Sequence, residues 1–468
     1  MRHSAFLTLL LLATLDLTAA VNKLTIPRLD YKHRTLANGL ELYSIEDHTT
    51  PTVAIQVWYR VGSKNDPEGR SGFAHLFEHI MFKSTKHMKA EMMDRLTEDV
   101  GGYNNAGTAD DFTKYYEVVP SNYLETLLWA EGDRLGALTV DEAAFKSERD
   151  VVKEEFRFRI LAPPYGRFYY AIDKDSFQVH PYRRPGIGSI EDLDASTVGD
   201  VQAFHKTFYR PDNAVLVIAG DFDSAQMNAW VDKYLGGIPN PGTPIPRVTV
   251  KEPARDEAKR FDEHAPNVPL PAVCITWLAP PAASDDANAL DVAAAILGRG
   301  ESSRMYRTMV YRDNLAQEVD AVADLREDLG VFAVLTTLAS GHTADEGVKA
   351  LMREVELLEK TPPSAAEVEK AKNQLITEAL RELETNDGKG EALALAIVME
   401  HDADAVNSRL SQMQAVTAAD VQRVMKQYIA GSKPYTITYN SDSKQQAAGS
   451  TPPAACCPLP AVSIGGAK

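Results

Sequence analysis

Residues 197–209 read TVGDVQAFHKTFY, and residues 417–429 read TAADVQRVMKQYI. Both carry the pattern T-x-x-D-V-Q-x-x-x-K, in which the threonine suits a helix N-cap and the aspartate suits the first turn. An apolar, β-rich run follows each copy: NAVLVIAG after the first and KPYTITYN after the second. The copies lie about 220 residues apart, and a period this long indicates duplicated domains rather than a solenoid of short repeats.

The similarity extends upstream of these helices. The strand-like run VAIQVWYRV (53–61) is similar to AVCITWLAP (272–280), and each leads through a polar stretch into a predicted helix. Aligning those helices places His75, Glu78 and His79 opposite Asp291, Ala294 and Ala295. The second copy therefore keeps the apolar pattern without these three polar side chains, so the fold does not require them.

The division of the chain follows from the repeat. A chain of 468 residues is too long for one ordinary core, and residues 236–260 are rich in Pro and Gly, as linkers are. We predict a first domain at 21–245, a linker at 246–260 and a second domain at 261–440. Each half mixes strands with helices, which predicts an α+β fold of two homologous α/β sandwich domains, each a sheet packed on helices, related by internal duplication.

The two ends of the chain predict export and disorder. Residues 1–20, MRHSAFLTLLLLATLDLTAA, combine a basic start, a short apolar run and small residues at the end, which is typical of a signal peptide. Residues 441–468 are rich in Ser, Pro, Gly and Ala and are predicted to be disordered. We expect a periplasmic protein, with secretion into the medium as the alternative. No other segment is apolar enough to predict a membrane span.

The net charge limits the classes of molecule that this protein is expected to bind. Lys and Arg number 49 against 66 Asp and Glu, giving a net charge of -17. This argues against nucleic acid, whose phosphates require a basic surface. It favours cationic ligands, although most of the charge is expected to be solvated surface.

The clearest chemical signal is GFAHLFEHIMFKS (72–84). His75 and His79 lie four residues apart, on one face of a helix and about 6 Å apart at Cβ. Two imidazoles so placed can share a Zn²⁺ ion at about 2.0–2.1 Å each. Glu78 borders the same face and is well placed to take a proton from a water at the metal. A catalytic zinc usually has three protein ligands and one open position, so a third ligand is expected from elsewhere.

The third ligand is predicted in TVDEAAFKSERDVVKEEFRFRI (139–160). Thr139 and Glu142 match a capping box, which predicts that a helix begins there. Glu148 and Glu155 are seven residues apart and therefore share a face. One carboxylate of this helix could bind the metal, and the other could orient a ligand.

These segments together resemble a known family. The reversed motif His-x-x-Glu-His, followed by GGYNNAGTADDFTKYYEVV and ERDVVKEEF, resembles the insulinase/pitrilysin zinc peptidases, and within them the short two-domain subunits similar to processing peptidases. The resemblance implies that His75, His79 and Glu155 bind Zn²⁺. It also implies that Glu78 is the general base and that Glu148 supports the site. Glu154 is the alternative third ligand, but the seven-residue step from Glu148 favours Glu155.

The resemblance also implies how substrate is held. Asn105 falls where the family places an asparagine on a strand beside the active site, and the substrate of the family adds as a strand to a sheet edge. Family members also carry an arginine and a tyrosine in the second domain. Here Arg312 is present, but Gln317 or Glu318 stands where the tyrosine is expected. We therefore expect a heterodimeric partner subunit that supplies substrate-gripping residues, with a homodimer as the alternative.

These features predict a zinc metalloendopeptidase that hydrolyses peptides or unfolded segments inside a closed chamber. The first alternative is a non-catalytic family member that acts as a structural or assembly subunit. The second is a metal-transport or storage protein, which would not need a base such as Glu78.

Overall fold

The computed structural model describes residues 27–442. The predicted signal peptide (1–20) and most of the predicted tail (441–468) lie outside these residues. The first half contains strands β1 Lys32–Thr35, β2 Glu41–Glu46, β3 Thr52–Tyr59, β4 Tyr103–Thr108, β5 Thr113–Pro120 and β6 Ala214–Gly220. Its helices are α1 Phe73–Ile80, α2 Met92–Glu98, α3 Leu124–Ala137, α4 Glu142–Phe156, α5 Gly166–Ser176, α6 Ile190–Asp194, α7 Val198–Phe208 and α8 Ser224–Tyr234.

The second half repeats this mixture of strands and helices. Its strands are β7 Lys259–Ala265, β8 Ala272–Ala279, β9 Ala316–Asp324, β10 Gly330–Leu338 and β11 Tyr435–Ser441. Its helices are α9 Ala287–Gly298, α10 Ala344–Lys360, α11 Ala365–Glu382, α12 Asn386–Met399, α13 Ala405–Ala415 and α14 Ala418–Val424. Among residues 27–442, no helix combines the length and apolarity that crossing a bilayer requires.

The second sheet repeats the strand order of the first without its edge strand β1, which confirms the α+β class and the duplication. The first sheet has the order β1-β2-β6-β3-β5-β4 and the second the order β7-β11-β8-β10-β9. In both, the strand after the repeated helix pairs in parallel with the first strand of the shared pattern, β6 with β2 and β11 with β7. Thr197 and Thr417 cap the repeated helices α7 and α14 through capping boxes, as the sequence predicts.

One helix from each half packs on the sheet of the other half, which the sequence did not predict. Helix α12, from the second half, covers the outer face of the first sheet, where Leu393 and Ile397 pack in one cluster with Trp58. Helix α5, from the first half, covers the second sheet, where Phe168 packs in one cluster with Ile437. Each sheet is therefore covered by helices on both faces, and one of the covering helices comes from the other half.

The segment between the halves is irregular but anchored. Within the described chain, no helix or strand lies between α8 and β7, and β7 begins at Lys259, inside the predicted linker 246–260. The Glu252 carboxylate accepts the backbone N–H groups of residues 178–180 at 2.5–3.0 Å. The buried Arg255 donates to the Ser176 carbonyl at 2.6 Å. Arg255 also donates to the Thr276 hydroxyl at 3.2 Å, so this segment contacts both halves.

A buried ion network joins the turn between β4 and β5 to the turn between β9 and β10. Arg326 is 5% exposed, and its guanidinium lies 2.7 Å from Asp110, 2.6 Å from Asp324 and 3.3 Å from Asp173. Beside it, Lys64 lies 2.8 Å from Asp111 and also contacts two carboxylates that follow Arg326, those of residues 327 and 328. Charges from both halves are thus paired around two buried cations, Lys64 and Arg326.

Candidate metal centre

Helix α1 presents its histidines from a firmly held N-terminus. Gly72 precedes the helix with a φ of 90°, a left-handed conformation that favours glycine. The buried Asp66 carboxylate accepts the amide protons of Gly72 at 2.7 Å and Ala74 at 2.9 Å. Burial raises the pKa of Asp66 to about 7, although these hydrogen bonds lower it. The apolar face, including Leu76 and Phe77, packs into the core of the first half.

Helix α4 supplies the carboxylates. It begins at Glu142 with Asp141 as its N-cap, because the Asp141 side chain accepts the Ala144 amide at 2.8 Å. The predicted capping box of Thr139 is therefore wrong: the helix begins later, and Asp141, an equally good cap, lies directly before it. Phe145 and Val152 bury one face of α4 in the same core as α1, which brings Glu148 and Glu155 to the histidines.

His75, His79 and Glu155 converge on one point. One ligand atom from each lies within 4.8 Å of the other two. Glu155 Oε2 is 3.6 Å from His75 Nε2 and 3.3 Å from His79 Nε2. Atoms bound to one tetrahedral zinc at 2.0–2.2 Å lie about 3.4 Å apart. The donor set and spacing therefore fit Zn²⁺.

The pKa values of the three candidate ligands are also compatible with binding a metal cation. Burial lowers the pKa of His75 to about 4 despite the nearby Glu155. Burial opposes ionisation of Glu155, but His79, His75 and Arg159 hold its pKa at about 2. Burial likewise lowers the pKa of His79, but hydrogen bonds to Glu148 and Glu155 raise it to about 9.

These pKa values predict a proton release. In the metal-free protein at pH 7, His79 is protonated, and it must become neutral to bind a metal. We expect zinc binding to release about one proton per ion and to tighten as the pH rises toward 9. Calorimetric titration at one pH in buffers of different ionisation enthalpy measures the number released. Binding heats that do not depend on the buffer would contradict this assignment.

Glu78 lies beside the three candidate ligands and is held by a residue that the sequence analysis did not single out. Thr108, the last residue of β4, donates its hydroxyl proton to Glu78 Oε2 at 2.5 Å. Burial raises the pKa of Glu78, and the Thr108 bond and His79 oppose that rise. A raised pKa suits a general base near neutral pH. Thr108 lies three residues after Asn105 on the same strand, and no local pattern marked it as functional.

Glu148 contacts the other side of His79. Its Oε2 lies 3.7 Å from His79 Nδ1, and its Oε1 lies 2.9 Å from Lys83 Nζ. A carboxylate on the second ring nitrogen fixes the orientation of a ligating imidazole. Burial opposes ionisation of Glu148, but His79 and Lys83 hold its pKa below the ordinary value. Lys83 was also missed from the sequence.

Glu154 points away from the cluster. Its side chain is 73% exposed and pairs with Arg157, whereas Glu155 is 17% exposed and pairs with Arg159 at 2.9 Å. A π-helical turn, Arg157–Leu161, follows α4 directly. The geometry thus favours Glu155 over Glu154 as the third ligand.

The neighbouring glutamates offer a matched test. Glu155→Gln should weaken zinc binding by at least about 100-fold, the upper range for the loss of an outer partner of a ligand. Glu154→Gln should leave zinc affinity within about 2-fold, because its carboxylate pairs only at the surface. Zinc affinity is measured by competition with a chromophoric chelator. The opposite ranking of the two variants would assign the ligand to Glu154.

The two predicted substrate-binding residues lie apart from the cluster. Asn105 is exposed on β4, and its Oδ1 accepts the amide of Ala106 at 2.9 Å. Arg312 is 60% exposed at the end of the turn Tyr306–Arg312 and pairs with Asp313 at 2.7 Å. The structure therefore places Asn105 on the edge strand beside α1 and Arg312 in the second half.

Known proteins share both the fold and the sequence. Residues 42–158 match the family described as Insulinase (Peptidase family M16), and residues 196–375 match the one described as Peptidase M16 inactive domain. Zinc protease PqqE of Helicobacter pylori is 30% identical over 409 residues, which cover 86% of this chain and 91% of that protein. The chain belongs to the insulinase (M16) peptidase family.

Two further comparisons bear on fold and function. The crystal structure of a protease from Helicobacter pylori superposes with a TM-score of 0.85 at 29% identity, covering 88% of this chain and all of that one. Human cytochrome b-c1 complex subunit 1 is 29% identical over 265 residues, which cover 56% of this chain and 54% of that protein. The relatives of this chain thus include a protein named as a protease and one named as a subunit of a complex.

Proposed function

We propose that this M16 chain is a zinc metalloendopeptidase that hydrolyses peptides or unfolded segments. The observation that carries the proposal is the convergence of His75, His79 and Glu155 beside the half-buried Glu78. A metal-storage protein would not need a half-buried carboxylate beside its ligands. The glutamate held by Thr108 instead suits the transfer of a proton.

Each residue has a distinct role in this proposal. His75, His79 and Glu155 would hold Zn²⁺, which would supply Lewis-acid polarisation of the scissile carbonyl and of a water. Glu78 accepts the proton of the attacking water and passes it to the leaving amine. Glu148 keeps the His79 ring in the orientation that directs Nε2 at the metal. Thr108 would hold the Glu78 carboxylate in place through the hydrogen bond from its hydroxyl group.

Substrate is held along the open edge of the first sheet. Strand β4 pairs with β5 on one side, and no strand among the described residues pairs with its other side. An extended peptide can add to such an edge through main-chain hydrogen bonds. Asn105 lies on this strand and would contact that peptide, whereas Arg312 would act from the second half. A folded protein does not offer a free strand, so peptides and unfolded segments are the substrates.

A partner subunit completes the proposal. The absence of a tyrosine at Gln317 and Glu318 leaves the second half without one expected contact to substrate. A heterodimeric partner supplies it within a closed chamber, and a homodimer is the alternative. The relation to a cytochrome b-c1 complex subunit supports assembly with other chains. We place the protein in the periplasm, with the external medium as the alternative.

The test is digestion of a peptide library and of an unfolded protein by the zinc-loaded chain. The chain is assayed alone and mixed with candidate M16 subunits from the same source, each with and without a chelator. Chelator-sensitive cleavage supports the proposal. Absence of cleavage in every mixture, with zinc bound, favours the second candidate, a non-catalytic assembly subunit, which the cytochrome b-c1 relative makes a specific alternative.

A further inference from the structure

A cavity of about 210 Å³ lies on the outer face of the first sheet, the face that α12 covers. Both halves of the chain line it. Gly107, Phe112 and Lys114 come from the hairpin of β4 and β5, and Leu325, Leu395 and Met399 come from the second half. None of these residues takes part in the metal centre.

The strand register shows on which face of the sheet this cavity lies and which residue of β4 faces it. Gly107 pairs with Lys114, which pairs with Trp58 on β3. Cross-strand partners share a face, and Trp58 belongs to the cluster under α12. The next residue, Thr108, points to the opposite face and contacts Glu78. Gly107 therefore faces the cavity, and the next residue of the same edge strand, Thr108, faces the metal centre.

The hydrogen bonds of the hairpin show which groups a peptide could reach. The Ala109 amide donates to the Phe112 carbonyl at 2.9 Å, so this pair is hydrogen-bonded. Bonded and non-bonded pairs alternate along an antiparallel ladder. The backbone groups of Gly107 therefore face β5, whereas those of Ala106 and Thr108 face the open edge. A peptide pairing there would lie with one residue directly opposite Gly107.

We infer that this cavity is a specificity pocket that accepts one uncharged, apolar side chain of the peptide substrate. This inference rests on the proposed peptidase function. Side chains alternate across a strand, so a peptide that brings one residue over the metal turns its neighbour toward the α12 face. Gly107 leaves that path open, because any side chain at this position would point into the cavity.

The lining determines the chemistry of the accepted side chain. Phe112, Leu325, Leu395 and Met399 form apolar walls, and the Phe112 ring packs on Trp58 at 4.6 Å. Methionine adapts to ligands of different shape. The ammonium of Lys114 pairs with Glu391 and lies 5.3 Å from the Trp58 ring centre. Lys114 is thus neutralised, and Arg409, which also lines the cavity, pairs with Glu400 at 3.1 Å, so the lining favours Leu, Met or Phe over a charged residue.

The test compares two variants that fill the cavity from opposite walls. Leu395→Trp fills it from α12, and Gly107→Ala adds a single methyl group from β4. Leu357→Trp, at an exposed position 47% open to solvent, is the control. All three are made in the Glu78→Gln background and loaded with zinc, so that peptide binding is measured without turnover. The wild-type chain is assayed for cleavage with the same peptides, in which each position carries Gly, Ala, Leu, Phe or Asp in turn.

We expect the parent Glu78→Gln protein to prefer Leu or Phe over Gly by about 10–100-fold at one peptide position. Leu395→Trp should reduce that preference to within about 3-fold, Gly107→Ala should favour smaller side chains there, and Leu357→Trp should change nothing. Preferences at the other positions should persist. Unchanged preferences in both cavity variants, with melting temperatures near that of the parent, would overturn the inference.

The two proposals fail in distinguishable ways. Binding with the predicted preference, but no cleavage by the wild type alone or with partner subunits, would overturn the peptidase function and keep the pocket. Cleavage whose sequence preference is the same in Leu395→Trp and Gly107→Ala, each tested with Glu78 restored, would overturn the pocket and keep the function.

Discussion

Replacing Glu78 with glutamine should reduce peptide hydrolysis by about 10³-fold while zinc remains bound. The amide keeps the size of the side chain and can still bond to Thr108, but it cannot accept the proton of the attacking water. Loss of a positioned general base typically costs 10²–10⁴-fold in rate. Steady-state kinetics on a fluorogenic peptide measure the rate, and metal analysis after gel filtration measures the zinc content.

Glu142→Gln is the control for this variant, because it removes a carboxylate from an exposed site on the neighbouring helix α4. It should leave both rate and zinc content unchanged. If Glu78→Gln instead lost its zinc, Glu78 would be a ligand or a support for one. Full activity in Glu78→Gln would place the base elsewhere.

Replacing Arg326 with methionine should destabilise the protein by about 3–5 kcal/mol, the usual result of removing one partner of a buried ion pair. Arg326 is the shared cation of Asp110, Asp173 and Asp324. Burial already raises the pKa of Asp173 to about 7 despite this arginine. Without it, these carboxylates would have to take up protons or remain charged away from water. Denaturant unfolding at pH 8, where protonation is least favoured, measures the change.

Arg260→Met provides the comparison, because Arg260 pairs with Asp262 and Asp345 at the surface and is 44% exposed. Exposed pairs contribute about 0–1 kcal/mol. Similar stabilities for the two variants would mean that water reaches the network around Arg326. A smaller loss for Arg326→Met at pH 5 than at pH 8 is expected, since protonated carboxyls need no cation.

The features that could be predicted from the sequence are those that depend on patterns of nearby residues. Spacing brought His75 and His79 to one helix face, and the seven-residue step favoured Glu155 over Glu154. The repeat predicted two related sheets. These inferences rely only on helix and strand periodicity, which acts within a few residues.

Contacts between distant segments were not predictable in this way. Thr108 reaches Glu78 across 30 positions of sequence, and nothing local distinguishes it from other strand threonines. Lys83 contacts Glu148 only because α1 and α4 pack together. The apolar residues of α5 and α12 predict buried helices, but a pattern of apolar residues does not state which sheet they cover. The cap at Asp141 was missed because Thr139 matched a known pattern two residues earlier.

The exchange of α5 and α12 between the halves has a consequence for how this protein arose and how it can be dissected. If the chain were cut between the two halves, each fragment would expose one apolar sheet face to solvent and would contain one helix without the sheet on which it packs. We would expect such fragments to associate with each other or to aggregate rather than to fold separately. We therefore expect the two halves to unfold as a single unit. An ancestral single copy could have buried the same sheet faces by exchanging helices with a second copy.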